Sequence, residues 1–139
     1  MASDGATAGL EALNLNECRR LLGNGGIGRI ALPSESAPII RPVNFVLHRD
    51  AIVLRTAEGE ILAAAERGTR VSFEIDDANR LEHSGWSVIV IGYLTESAAD
   101  DETLALPLRP WAAGRRERFV SLSLEAVTGR RIEHRRFET

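Results

Sequence analysis

The sequence predicts a mainly β domain with a few short helices, folded as a closed or nearly closed antiparallel barrel. Three observations carry this prediction. Short apolar runs and two-residue alternations recur along most of the chain, separated by turn residues. Helical signals are brief, each with its own start or stop signal. The 139 residues, 44% hydrophobic and 27% charged, amount to one domain that buries roughly 68% of its unfolded surface.

The elements follow in order. Residues 1–12 lack the basic and apolar regions of a secretory signal and read as a disordered tail. The domain is expected over residues 13–133, and residues 134–139 form a second tail. Asn14 with Glu17 has the spacing of a capping box, and Leu15, Cys18, Leu21 and Leu22 continue it as a helical stripe that ends at Gly23, Gly25 and Gly26. Ile27 to Leu32 is a short strand. Ile39 to Leu47 and Ala51 to Thr56 flank His48-Arg49-Asp50 as a hairpin. If Arg49-Asp50 is a two-residue loop, paired positions sum to 99, so that Phe45 faces Leu54 and Asn44 faces Arg55. Gly59 to Glu66 is a short helix stopped by Gly68. Val71, Phe73 and Ile75 alternate as a strand, and Asp76 to Ser84 is a polar loop. Trp86 to Thr95 is the strongest strand. Asp100-Asp101-Glu102 suits the first turn of a helix. Phe119 to Val127 alternates cleanly as one strand, followed by a break at Thr128-Gly129. About six strands result.

The strand Ser87-Val88-Ile89-Val90-Ile91-Gly92-Tyr93-Leu94 is apolar on both faces. One face lines the barrel and the other needs its own cover, which in so small a domain favours a second copy of the chain in a homodimer.

Composition excludes several chemistries. One cysteine, Cys18, rules out an internal disulfide. All 17 basic residues are arginine, so no lysine is present for a Walker loop or a Schiff base. His48, His83 and His134 have no ligand spacing, and no metal is expected. No run approaches the ~18 apolar residues of a membrane span, and a cytoplasmic location is expected. Seven arginines from Arg115 to Arg136 face eight acids from Glu74 to Glu102. With a net charge of −3, pairing between these segments, in the fold or across a dimer, is expected rather than nucleic-acid binding. Cys18 lies beside Arg19 and Arg20, but its stripe position favours simple burial.

One constellation points to a ligand. Asn44 and Arg55 share a face away from the core, and Arg55 leads through Thr56 to the start of a helix. Such a corner suits a phosphate, and its alternative is an arginine paired with an acid on a solvated strand. Pro42 cannot donate to a ladder, so an edge or bulge is expected there. Trp86 and Trp111 are either packing residues or platforms for a planar ring.

Arg41-Pro42-Val43-Asn44-Phe45, Arg55-Thr56-Ala57-Glu58-Gly59, Gly85-Trp86-Ser87-Val88 with Gly92, Pro110-Trp111 and Thr128-Gly129-Arg130-Arg131-Ile132 occur in this order. Together they resemble the pyridoxamine 5′-phosphate oxidase-like split-barrel flavoproteins, from about Leu13 to Ile132. The resemblance implies a six-stranded antiparallel split β-barrel, a homodimer, and FMN at each end of the subunit interface. By motif, Arg55 and Thr56 would hold the phosphate. Pro42, Val43 and Asn44 would follow the isoalloxazine edge, and Trp86 and Ser87 would join the pocket from either chain. Arg41, Ala57 and Trp111 belong to the same motifs and count with the cofactor-binding set. A deazaflavin is the variant cofactor. Relatives commonly carry Gly-Thr-Lys where this chain has Gly59-Glu60-Ile61, and an acid near a phosphate repels it by about 1 kcal/mol or more if partly buried. The implied activity is a flavin-dependent oxidoreductase with an unassigned small-molecule substrate and proton donor. Vitamin B6 oxidation is not expected, because no substrate-gripping basic residues match. The alternative is a non-catalytic split-barrel dimer that has lost flavin and binds another ligand or a protein.

Overall fold

The computed structural model describes residues 10–57, 59–108 and 118–133. Along the chain run β1 (Leu10–Leu13), α1 (Leu15–Gly23), β2 (Gly26–Leu32), β3 (Ile39–His48), β4 (Ala51–Thr56), α2 (Glu60–Glu66), β5 (Arg70–Asn79), β6 (Ser84–Ser97), α3 (Asp101–Leu104), β7 (Arg118–Ser123) and β8 (Ala126–Ile132). None of the described helices is long and apolar enough to cross a membrane.

Local chemistry sets the helices. Asn14 caps α1 by accepting from the Glu17 amide at 2.8 Å, an interaction worth about 1 kcal/mol. The stripe of Cys18, Leu21 and Leu22 is buried. Burial and the neighbouring Glu17 push the Cys18 thiol above its ordinary range, so Arg19 and Arg20 do not activate it. Helix α2 ends at Gly68 with φ of 64°, a left-handed position that glycine adopts without strain.

All ladders are antiparallel. β6, β5, β2, β3, β4 and β7 pair in that order, and β7 returns to β6 to close a six-stranded barrel. β8 and then β1 continue from β6 outside the ring. β6 therefore serves two partners on one edge: Gly85–Ile91 pairs with β8, and Leu94–Ser97 pairs with β7. The changeover falls at Gly92, where a Cβ would run into the carbonyl of Ser123. Only glycine lets the β7–β8 turn cross so closely. The Tyr93 amide then donates to Ser123 Oγ at 2.9 Å, and the Glu125 amide to the Ile91 carbonyl at 3.0 Å.

This changeover explains departures from the sequence pattern. The expected single strand from Phe119 to Val127 is two strands, broken at Leu124-Glu125 where β6 exchanges partners. The expected break at Thr128-Gly129 is absent. Gly129 lies inside β8 beneath α1, where a Cβ would stand 2.6 Å from Cys18 Sγ. The expected loop from Asp76 to Ser84 is largely strand, because β5 and β6 pair out to Asn79 and Ser84. Leu10–Ala12, expected in the tail, pair with β8 as part of β1.

The β3–β4 hairpin has the expected register, from Phe45↔Leu54 to His48↔Ala51. Arg49 and Asp50 have φ of 48° and 60°, which makes the loop a type I′ turn whose twist matches the strands. Inward side chains of the ring form the main core, where Phe45 meets Phe73 edge-on at 4.9 Å. Alternation sends Val53 to the other face of β4. There it packs with Leu108 and Phe119 in a separate small cluster.

Candidate functional site

Pro42 shows how the site opens. β3 pairs with β2 along Ile39–Phe45 without a bulge, Arg29 facing Pro42. The β4 ladder reaches only Phe45. Among the described residues, no strand pairs with the second edge of β3 from Ile39 to Asn44, so proline costs no ladder hydrogen bond there.

Asn44 and Arg55 stand one register step beyond the last β3–β4 pair. Alternation puts both on the outer face, with Val46 and Val53. Asn44 lines a cleft of about 300 Å³ with Asn24, Gly25, Gly26, Val46 and Pro107. Arg55 lies opposite Phe119 on β7. Its guanidinium carbon is 5.3 Å from the centre of that ring, and its Nη1 donates to the Leu108 carbonyl at 3.2 Å. A carbonyl and an aromatic face thus meet this guanidinium.

The other predicted residues divide. Thr56 leaves β4 on the face opposite Arg55, and its hydroxyl bonds the Ala57 carbonyl at 3.2 Å. Val43 is buried in the core, so only its main chain is placed to meet a ligand. Arg41 stays half exposed and grips Glu60 at the start of α2 through two hydrogen bonds, Nε to Oε1 at 2.8 Å and Nη2 to Oε2 at 3.3 Å. The acid that departs from the family pattern is thus matched by its own guanidinium. Trp86 packs against the core and lines an open groove of about 1030 Å³ with Asp77, Arg80, Leu81 and Arg131. Ser87 faces outward between Asp76 and Arg130. In the ring, β6 lies diametrically opposite β3, with β5 and β2 between them. One chain therefore does not bring Trp86 and Ser87 to Asn44 and Arg55. Trp111 lies outside the described residues.

Two further features escaped the sequence pattern, and one met it. Leu106–Leu108 covers Arg55, although nothing local marks it beyond two leucines around a proline. Arg118 faces Thr56 on β7 and pairs with Glu96 at 2.7 Å, linking the arginine-rich and acidic segments as expected. Arg131 pairs instead with Glu17 of α1 at 2.9 Å.

The outer face of the β8–β6–β5–β2–β3 strands carries a mixed surface. Ile89 and Tyr93 are 41% and 45% exposed, and Ile27 and Ile40 are also exposed. Between them Arg29 bonds Glu74 at 3.1 Å and Asp76 at 3.3 Å. The Glu74 carboxyl is raised to about 6, first by burial and then by its hydrogen bond to and repulsion from Asp76, while Arg29 acts in the opposite direction.

The residues present suit a flavin. Asn44 at a cleft, the Arg55 guanidinium on the same outer face and a strand edge left unpaired among the described residues offer the donors that a polar ring edge and a phosphate require. Comparison with known proteins agrees at the level of fold and family. The pyridoxamine 5′-phosphate oxidase family model matches residues 14–131. The uncharacterized protein Rv0080 of Mycobacterium tuberculosis is 33% identical over 128 residues, which cover 86% of this chain and 84% of that protein. The FAD binding protein from Mycobacterium smegmatis superposes with a TM-score of 0.75 at 35% identity, covering 88% of this chain and 98% of its own. A FAD-binding protein from Mesorhizobium loti shares the fold, with a TM-score of 0.71 at 20% identity over 88% of this chain and 96% of its own.

Proposed function

This chain belongs to the pyridoxamine 5′-phosphate oxidase family, and from that premise we propose that it is a flavin-dependent oxidoreductase acting as a cytoplasmic homodimer. The observation that carries the proposal is the placement of Asn44 and Arg55 on one outer face beside a cleft. Arg55 would hold the first phosphate, with Thr56 and Ala57 shaping the turn that follows. The main chain of Pro42 and Val43 and the Asn44 amide would run along the ring edge. FMN is the minimal ligand, because FAD, named for the Mycobacterium smegmatis relative, contains the same half. A deazaflavin is a variant of the same site.

When bound, the flavin supplies the electron chemistry. The chain supplies charge, orientation and shelter from water. The homodimer reading is supported by the exposed apolar residues of β6 and by the separation of Trp86 and Ser87 from Asn44 within one chain. A partner would bring its own Trp86 and Ser87 toward the cleft. Vitamin B6 is not the proposed substrate.

The alternative, a barrel without flavin, takes its motive from Glu60 and Ile61. The Arg41–Glu60 pair weakens that motive, because a matched pair projects little net charge. The two readings part on purification. Flavin absorbance that is released on denaturation, identified by chromatography and restored by titration with FMN supports the first. A colourless protein that takes up neither FMN, FAD nor a deazaflavin supports the second.

A further inference from the structure

The Asp100–Leu108 segment covers the guanidinium that the proposed function assigns to phosphate, and its two ends are held differently. At one end Asp100 caps α3, accepting from the Thr103 amide at 2.8 Å and the Thr103 hydroxyl at 2.7 Å. Glu102 Oε1 then reaches the tip of the β3–β4 hairpin, 2.8 Å from Arg49 Nη2 and 3.2 Å from His48 Nε2. At the other end the Leu108 carbonyl accepts from Arg55, and the Leu108 side chain is buried with Val53 and Phe119. Pro107 walls the cleft beside Asn44. This cluster shares no residue with the barrel core, so it can open without unfolding the barrel.

We propose that residues 100–108 form a displaceable strap: the Leu108 carbonyl and an incoming flavin phosphate compete for Arg55, and Glu102 is the latch that sets how often the strap lifts. The displacement rests on the phosphate assignment above; the latch does not. A guanidinium binds a phosphate more strongly than a neutral carbonyl, so the exchange is favourable once the strap lifts. A ligand that binds only the lifted form has its apparent affinity reduced by the fraction lifted. Loosening the latch therefore speeds association and tightens binding by the same factor, and leaves release unchanged.

The test compares the full chain with its Glu102→Ala variant, the side chain being 45% exposed. Amide hydrogen exchange across residues 100–108 is expected to quicken about fivefold, the upper range for loss of an exposed ion pair. FMN association in stopped flow rises by the same factor with an unchanged release rate. Unchanged exchange overturns the latch. An equal acceleration in Asp50→Asn, which breaks the Arg19–Asp50 pair on the same hairpin, overturns it too, since the hairpin as a whole would then be responsible. Faster release with unchanged association overturns displacement and means that the strap closes over the ligand. Should neither protein bind FMN, the phosphate assignment and displacement fall together, while the exchange rates still decide the latch.

Discussion

Arg55 combines a strand position, an aromatic neighbour and a part-buried guanidinium. Charge-assisted hydrogen bonds of the kind it would make to phosphate are worth about 1.5–3 kcal/mol, so Arg55→Ala is expected to weaken FMN binding by roughly 10- to 100-fold. Titration of flavin fluorescence reads this directly. Glu60→Ala behaves differently. The Arg41–Glu60 pair is about half exposed, so the variant loses less than about 1 kcal/mol in denaturant unfolding, and the released Arg41 strengthens flavin binding rather than weakening it. Gly92→Ala forces a Cβ into the Ser123 carbonyl, and overpacking against backbone is expected to cost about 3 kcal/mol or more, seen as a collapse of the thermal midpoint. Some of this was legible beforehand. The asparagine and arginine on one outer face follow from hairpin arithmetic alone. The Arg41–Glu60 pair did not, because nineteen residues separate its members and only the folded barrel brings β3 to the start of α2.

At the scale of elements, the alternation rule succeeded wherever one strand kept one partner on each edge. It failed along Phe119 to Ile132. There the pattern shows one alternating run to Val127 and then a break at Thr128-Gly129, but β6 changes partner at Gly92 and the chain turns at Leu124-Glu125 to follow it. Such a changeover is a long-range pairing and leaves no local period. The β5–β6 arm was missed for a related reason: polar on both faces, it is held as strand by its ladder rather than by burial. Glu74 on β5 supports a pH prediction. Its carboxyl sits at about 6 against an ordinary value of 4.5, so the folded state holds this proton more tightly than the unfolded chain does. The resulting penalty is absent below 4.5, grows as pH rises toward 6 and is full above it. The side chain is 32% exposed, and screening limits the effect to about 1 kcal/mol. Glu74→Gln is thus expected to stabilise the protein at pH 8 and to leave it unchanged at pH 4. Equal unfolding midpoints for the two proteins at both pH values would show that Glu74 carries no such penalty.

The whole molecule joins these scales through its outer face. The sequence marks Ser87–Leu94 as apolar on both sides, and the barrel fills only one of them: Val88 and Val90 are buried, whereas Ile89 and Tyr93 remain exposed. Which residues would meet across two copies was not legible, because that depends on a surface assembled from β2, β3, β5, β6 and β8. Around the ring, Ser87 and Asn44 lie three strand spacings apart, an arc of about 14 Å at the usual separation. Among the described residues, the groove at Trp86 and the cleft at Asn44 share no residue, and a two-fold partner is what would bring a second Ser87 close. Ile89→Arg, which buries a charge in that proposed contact, is expected to yield a monomer that has also lost flavin. The most direct measurement is sedimentation velocity of the flavin-loaded protein followed at the visible absorbance of the flavin, where the chain itself does not absorb. The colour is expected to travel with a species of twice the 15.2 kDa chain mass. Colour moving with a single chain, or remaining unbound, would contradict a flavin site built between two barrels.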